Sequence, residues 1–406
     1  MRISTLSIYG NATAQLNTLQ SALARTQMQL STNRRIITPA DDPVASARAL
    51  EVSQSREMNA QFATNRANAR SSLSSVEGAL QNAGNLLQDI QQLAVNAGNG
   101  TMLPQDREAL ATELEGRLHD LLGVANTTDG AGGYLFSGYM VTTQPFNLTP
   151  GGAQYQGDQG QRQLQVGASR KIPLSASGSA VFENNPTGNG SFQTQAAGTN
   201  TGAGIISSGS VTNRGALTGH DYALSFSVTG TPAVTTYTVN DTSTTPPTEV
   251  LANQPYVPGN TISFGGMSFD IKGEPADGDS FTVKPSEKQS VFTTVTDLIA
   301  ALRAPADGSS GKAALTNSLN TALDNLKSAH DNVLTVQASV GAHMKELDYL
   351  DSAGDDLDIQ YASTLSDLQD LDIVKAISEF SQQQTTLQAA QMSFKTMSGL
   401  SLFNYL

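Results

Sequence analysis

Apolar residues recur in steps of three and four at both ends of this chain, and those two seams decide most of what it can become. Near the start Tyr9, Ala12, Leu16, Leu19, Leu23 and Leu30 follow a heptad rhythm, with one gap where Thr26 stands. Near the end Ile373, Phe380, Leu387 and Phe394 fall seven apart, with Ala376, Ala390 and Met397 beside them. Stripes this narrow predict helices that lie against other helices. Each seam covers only about 30 residues, too little apolar surface to hold a helix in water alone. Partners must order the ends.

Between the ends the pattern changes twice. Asp42-Pro43 offers an N-cap followed by a first-turn proline. From Val44 to about Ala97 a long helix is predicted, carrying Phe62, Ala69, Val76, Ala83 and Ile90 every seven residues. About 50 helical residues would span roughly 80 Å, more than one globular core can accommodate. Gly98-Asn99-Gly100 marks a turn, and Leu110, Leu114, Leu118 and Leu121 a third helix. Residues 140–288 hold most of the Gly and Pro, with alternating runs at 222–228, 237–239, 262–264 and 281–283 that read as strands. The stretches 184–218 and 240–255 read as loops poor in apolar anchors. Helical spacing returns near Ser290, breaks between Pro305 and Gly311, and resumes from Leu315 to Leu347. The expected fold is therefore α+β: an elongated rod whose long paired N- and C-terminal helices form a helical bundle with an inserted β-rich domain. Its expected parts are terminal helical segments at 1–43 and 373–406, a long-helix bundle at 44–139 and 289–372, and a β-rich outer insertion at 140–288 of one or two subdomains.

Charge narrows the function. Only 15% of the 406 residues are charged and the net charge is -13, which disfavours a general nucleic-acid surface. The residual charge is divided: eight Arg and four acids in the first 70 residues, and acids with no Lys or Arg from Glu346 to Asp372. Early and late helices should attract each other, by tenths of a kcal/mol per exposed pair. Neither a cleavable signal peptide nor a membrane-spanning segment is predicted. With 0 Cys and 4 His there is no thiolate site and no paired-His spacing for a metal. His119 beside Asp120 and His330 beside Asp331 are adjacent on their helices rather than on one face. Asp277-Gly278-Asp279 lacks the further ligands of a calcium loop and reads as a hairpin turn. Gly130 to Gly133 lacks the Lys of a phosphate loop, and Ser137 lacks the nucleophile-elbow pattern. No catalytic, cofactor or metal residue is expected.

Several local runs are more specific. Met1-Arg2-Ile3-Ser4-Thr5, then Arg35-Ile36-Ile37-Thr38-Pro39-Ala40-Asp41-Asp42-Pro43, then Gly133-Tyr134-Leu135-Phe136-Ser137-Gly138-Tyr139, and Ser381 to Ala390 with Ser398 to Leu406 resemble the flagellin family of bacterial flagella. Its hook-associated, junction-type members are closer than its filament members, which resemble a Phe-Asn-Gly pattern where this chain has Tyr-Leu-Phe-Ser-Gly. The resemblance covers roughly 1–140 and 289–406; the insertion matches only in being β-rich. It implies a structural, non-enzymatic subunit that leaves the cell through the flagellar export channel and assembles in a ring on the extracellular flagellum. Implied partners are hook-associated protein 1 on the proximal side, flagellin on the distal side, further copies of itself, and a cytoplasmic export chaperone on the C-terminal helix. The implied assembly interface is Leu16, Leu19, Leu23, Leu30, Phe380, Leu387, Phe394 and Met397. Filament flagellin stands as the alternative within the family. A glycan-active or adhesive β domain stands as the alternative from another class.

Overall fold

A computed structural model describes residues 5–130 and 132–399. The runs at 1–4 and 400–406, which carry part of the terminal motifs, lie outside the described residues. Six helices frame the chain: α1 (Thr5–Thr32), α2 (Pro43–Ala97), α3 (Pro104–Ala125), α4 (Val291–Arg303), α5 (Gly308–Gln369) and α6 (Ile373–Gly399). The chain divides into two compact units, one of residues 1–64 with 349–406, the other of residues 65–348. Both α2 and α5 contribute to each.

In the unit of residues 65–348 the helical core comes straight from the heptads. On α2, Ala69, Leu73, Val76, Leu80, Ala83, Leu87, Ile90, Ala94 and Ala97 are all buried, in alternating steps of four and three. Leu114, Leu118 and Leu121 of α3 and Val295, Leu298 and Leu302 of α4 are buried as well. An aromatic cluster continues this core: Phe146 lies 5.0 Å from Phe292 and 5.6 Å from Phe182, and Phe136 meets Phe182 edge-on at 5.5 Å. The hairpin of Phe146–Thr149 and Gly152–Tyr155 carries Phe146 there. Gly152, at φ +120°, allows that turn to sit on the start of α4, where a Cβ would stand 2.8 Å from the Thr293 amide.

The expected strands form two sheets around one further core. One sheet runs antiparallel in the order Thr248–Pro255, Val234–Asp241, Tyr222–Thr229, Ser280–Pro285, Phe192–Ala196. The other pairs Met267–Lys272 with Thr261–Phe264, Ile205–Ile206 and Ser210–Val211. Alternate residues point inward: Tyr222, Leu224 and Phe226 from one strand, Phe281 and Val283 from its neighbour, Met267, Phe269 and Ile271 from the second sheet. Two segments read as loops are strands instead. Thr248–Pro255 is an edge strand, mostly exposed, so it needs main-chain pairing on one side and almost no apolar residues. Phe192–Ala196 is the opposite edge, with Phe192 as its anchor.

Three asparagines of α5 attach the β region to the helices. Asn317 accepts from the Ile206 amide and donates to the Gly204 carbonyl, both at 2.9 Å. Asn325 accepts from the Gly188 amide at 2.9 Å, and Asn332 donates to the carbonyls of Ala180 and Val181. Asn317 and Asn325 are themselves buried, and every partner named is main chain.

Candidate assembly surface

In the unit of residues 1–64 with 349–406 the two terminal seams face each other. Tyr9 meets Phe394 edge-on at 5.9 Å. Leu16, Phe394 and Met397, with Ala12, Gln15, Ala390 and Ser393, line a recess of about 240 Å³ between α1 and α6. The heptad gap at Thr26 is filled rather than empty. Thr26 is buried, and its hydroxyl is 3.0 Å from the Gln383 side-chain oxygen across the helix pair and 3.1 Å from the Ala22 carbonyl. A single buried polar pair in an apolar seam fixes the register of two helices, because any slip leaves both groups unsatisfied.

The linkers at the far ends of these helices also pair. The Arg35 amide donates to the Gln369 carbonyl at 2.7 Å, and Arg34 bridges to Asp370. Asp41 accepts from the amides of Ile37 and Thr38 and from Arg25 at 2.9 Å, which holds its carboxyl below the usual carboxylate range. Asp42 caps α2, accepting from the Ala45 amide at 3.0 Å, as the Asp-Pro pair predicts. Opposite charges meet as their distribution requires: Arg56 with Asp358 at 2.8 Å, beside the Asn59 amide on the Gly354 carbonyl.

The seams therefore have partners inside one chain, because each is the nearest complementary stripe for the other. Two helices cover each other on one side only. Leu16, Leu19, Leu23, Leu30, Phe380 and Phe394 are half-buried, Leu387 is buried, and Met397 remains 42% exposed. Apolar residues off the seam are more exposed still and escaped the heptad reading. Val374 is 82% exposed, Val44 and Tyr349 73%, Ile359 69% and Met392 66%. An apolar residue on a predicted helix that stands off the heptad positions is the signal that would have found them.

Other motifs are used structurally. In the Tyr-Leu-Phe-Ser-Gly run, Leu135, Phe136 and Ser137 are buried and the Ser137 hydroxyl is 3.3 Å from the Tyr134 carbonyl. The Tyr155 hydroxyl lies 2.9 Å from the Phe136 carbonyl, and burial pushes its pKa up to about 12. Asp279 spends its carboxylate on the amides of Thr201, Gly202 and Ala276. Among the described residues no group of three or more His, Asp or Glu side chains is placed to hold a metal. Among the described residues no helix is long and apolar enough to cross a membrane.

Residues 3–141 match the bacterial flagellin N-terminal helical region, and residues 195–285 match the D2-like domain of flagellar hook-associated protein 1. Flagellar hook-associated protein 3 of Escherichia coli (strain K12) is 29% identical over 404 residues, 99% of each chain. A B-type flagellin of Pseudomonas aeruginosa is 34% identical over 145 residues, only 35% of this chain and 28% of that one. The crystal structure of flagellar hook associated protein-3 from Legionella pneumophila superposes with a TM-score of 0.74 at 34% identity, covering 78% of this chain and 98% of that one. Filament flagellin is thus the distant relation and the hook-associated protein the end-to-end one. With its long terminal helices and β-rich middle matched throughout, the chain belongs to the flagellar hook-associated protein 3 family, structural junction proteins of the flagellum.

Proposed function

We propose that the chain is an adaptor that joins hook-associated protein 1 on its proximal side to flagellin on its distal side, in a ring of its own copies on the extracellular flagellum. Its domains would be the terminal segments 1–43 and 373–406 inside, the helix bundle 44–139 and 289–372 around them, and the insertion 140–288 outermost. One observation carries the reading. In the unit of residues 1–64 with 349–406, the buried hydrophobics among the described residues are Ala45, Ala49, Ala376 and Leu387, whereas Val44, Leu50, Met58, Ile359, Val374 and Ile377 are over half exposed. A surface of this kind is half of a core and awaits its other half. Covering a few such side chains at about 25 cal/mol per Å² would yield several kcal/mol, offset by the cost of ordering.

The assembly interface is Leu16, Leu19, Leu23, Leu30, Phe380, Leu387, Phe394 and Met397, supported by the half-covered state of all but the buried Leu387 and the exposed Met397 and by the recess beside Phe394. The chain would travel unfolded through the export channel, without a cleaved signal, and a cytoplasmic chaperone would hold α6 until then. A strain lacking the chain and complemented with Leu16→Ser/Phe394→Ser tests the adaptor role. Hooks without filaments, with flagellin shed into the medium, are expected; filaments of normal number would overturn it. For the chaperone, Phe380→Ser/Leu387→Ser/Phe394→Ser should abolish co-purification, and undiminished affinity would sink that part alone.

A further inference from the structure

Within the unit of residues 65–348, the segments 228–235, 255–258 and 274–277 of the β region enclose a cleft of about 850 Å³. Its apolar lining includes Val228, Val234, Pro255, Tyr256, Pro258 and Pro275. The charged residues in its walls are Glu274 and Asp277, and among the described residues no Lys or Arg lines it. Val234 is 54% exposed there, and Val257, next to Tyr256, 52%. The walls are fixed from behind. The Tyr256 hydroxyl lies 2.7 Å from the Gly273 carbonyl, and its ring meets Phe226 edge-on at 5.1 Å. The Asp277 carboxylate accepts from the Val228 amide at 2.9 Å, and the Gly278 amide donates to the Phe226 carbonyl at 3.0 Å. Prolines at three positions preset their own backbone. An occupant therefore meets a surface already shaped, and little ordering is required on this side.

Charge decides the kind of occupant. Residues 195–285 carry seven acids against three bases. The excess is felt at the cleft itself: burial pushes the Tyr256 hydroxyl up to about 12, and the carboxylates of Glu274 and Asp270 add to the shift. Neither of those two side chains has a hydrogen bond or ion pair among the described residues. An aromatic ring and aliphatic walls edged by carboxylates complement a cation carried on an apolar stem and repel an anion.

We propose that this cleft docks a segment of another protein in which an arginine stands beside aliphatic residues. The guanidinium fork would sit between the carboxylates of Glu274 and Asp277, against the Tyr256 ring, and the aliphatic neighbours would cover Val228, Val234 and the prolines. The surface belongs to the β region and not to the terminal helices, so it stands or falls independently of the adaptor role.

A short peptide with blocked ends and one arginine flanked by valines, titrated into the full chain, tests this through the methyl resonances of Val228 and Val234. Saturable shifts at both are expected. The same peptide with citrulline for arginine, equal in shape but uncharged, should bind about tenfold more weakly. Glu274→Gln, at an exposed position, should weaken the arginine peptide about threefold and leave the citrulline peptide unchanged, whereas Val234→Ser should weaken both. Shifts that do not saturate, equal affinity for the two peptides, or an arginine peptide indifferent to Glu274→Gln would overturn the site. Self-association of the full chain in sedimentation, abolished by Val234→Ser, would overturn it too, because the occupant would then be a second copy.

Discussion

The two units are made from the same kind of long heptad helix, yet they hide very different amounts of it. In residues 65–348 the α2 stripe from Ala69 to Ala97 is buried to the last residue, in a unit where α2 meets both α5, at His330, and α3, at Arg117. In residues 1–64 with 349–406 the equivalent stripes meet only across helix pairs, and side chains as apolar as Val374 and Ile359 face outward. Periodicity thus determines that a helix forms and which stripe it would bury. The number of neighbours determines whether that stripe becomes a core.

Substitutions should separate the units in proportion. Phe281 is fully buried between the sheets, so Phe281→Ala should cost about 3–5 kcal/mol of unfolding free energy in denaturant titration. Phe394→Ala, half-buried on α6, should cost less than half as much in the isolated chain. Equal losses would break the comparison and make the terminal pair an ordinary core. Next in size, Thr26→Val strands the Gln383 side chain in the seam and should destabilise the α1–α6 pair by about 1 kcal/mol, read as lost helicity at temperatures where the β sheets are intact.

Acidity probes the contrast more gently. Burial pushes the Asp324 carboxyl up, so the folded chain holds its proton more tightly than the unfolded chain does. That contribution favours folding at low pH and is lost as pH rises through the folded value. Asp324→Asn should therefore raise Tm at neutral pH by about one or two degrees, with the gain disappearing toward pH ~4. Asp358 is shifted the opposite way by its hydrogen bond and charge pairing with Arg56, so its small contribution is present at neutral pH and fades on acidification. The smallest effect belongs to that exposed pair: Arg56→Gln should barely lower Tm at low ionic strength, and by nothing measurable in about 1 M salt.

Much of this was legible in the residues. The helices, the Asp42 cap, the attraction of Arg56 for Asp358 and the four central strands follow from spacing, capping chemistry and charge sign. What stayed hidden depends on long-range company. Thr248–Pro255 looks like a loop because an edge strand takes its order from the neighbouring main chain, not from its own side chains. Thr26 looks like a flaw in the heptad because its partner, Gln383, is 357 residues away. The outward-facing Val374, Ile377 and Met392 were missed because a heptad search keeps only the residues that obey it.

The asparagines of α5 bear on how such a chain can change over evolutionary time. Asn317, Asn325 and Asn332 hold the insertion at five of its amides and carbonyls, which every sequence possesses, and at one side chain, the Asn185 amide oxygen that accepts from Asn332. Apart from the position of Asn185, the socket therefore accepts any insertion whose main chain presents the same donors and acceptors at the same places. A lineage can redraw the exterior that meets the surroundings while the internal helices, constrained by their packing, stay recognisable.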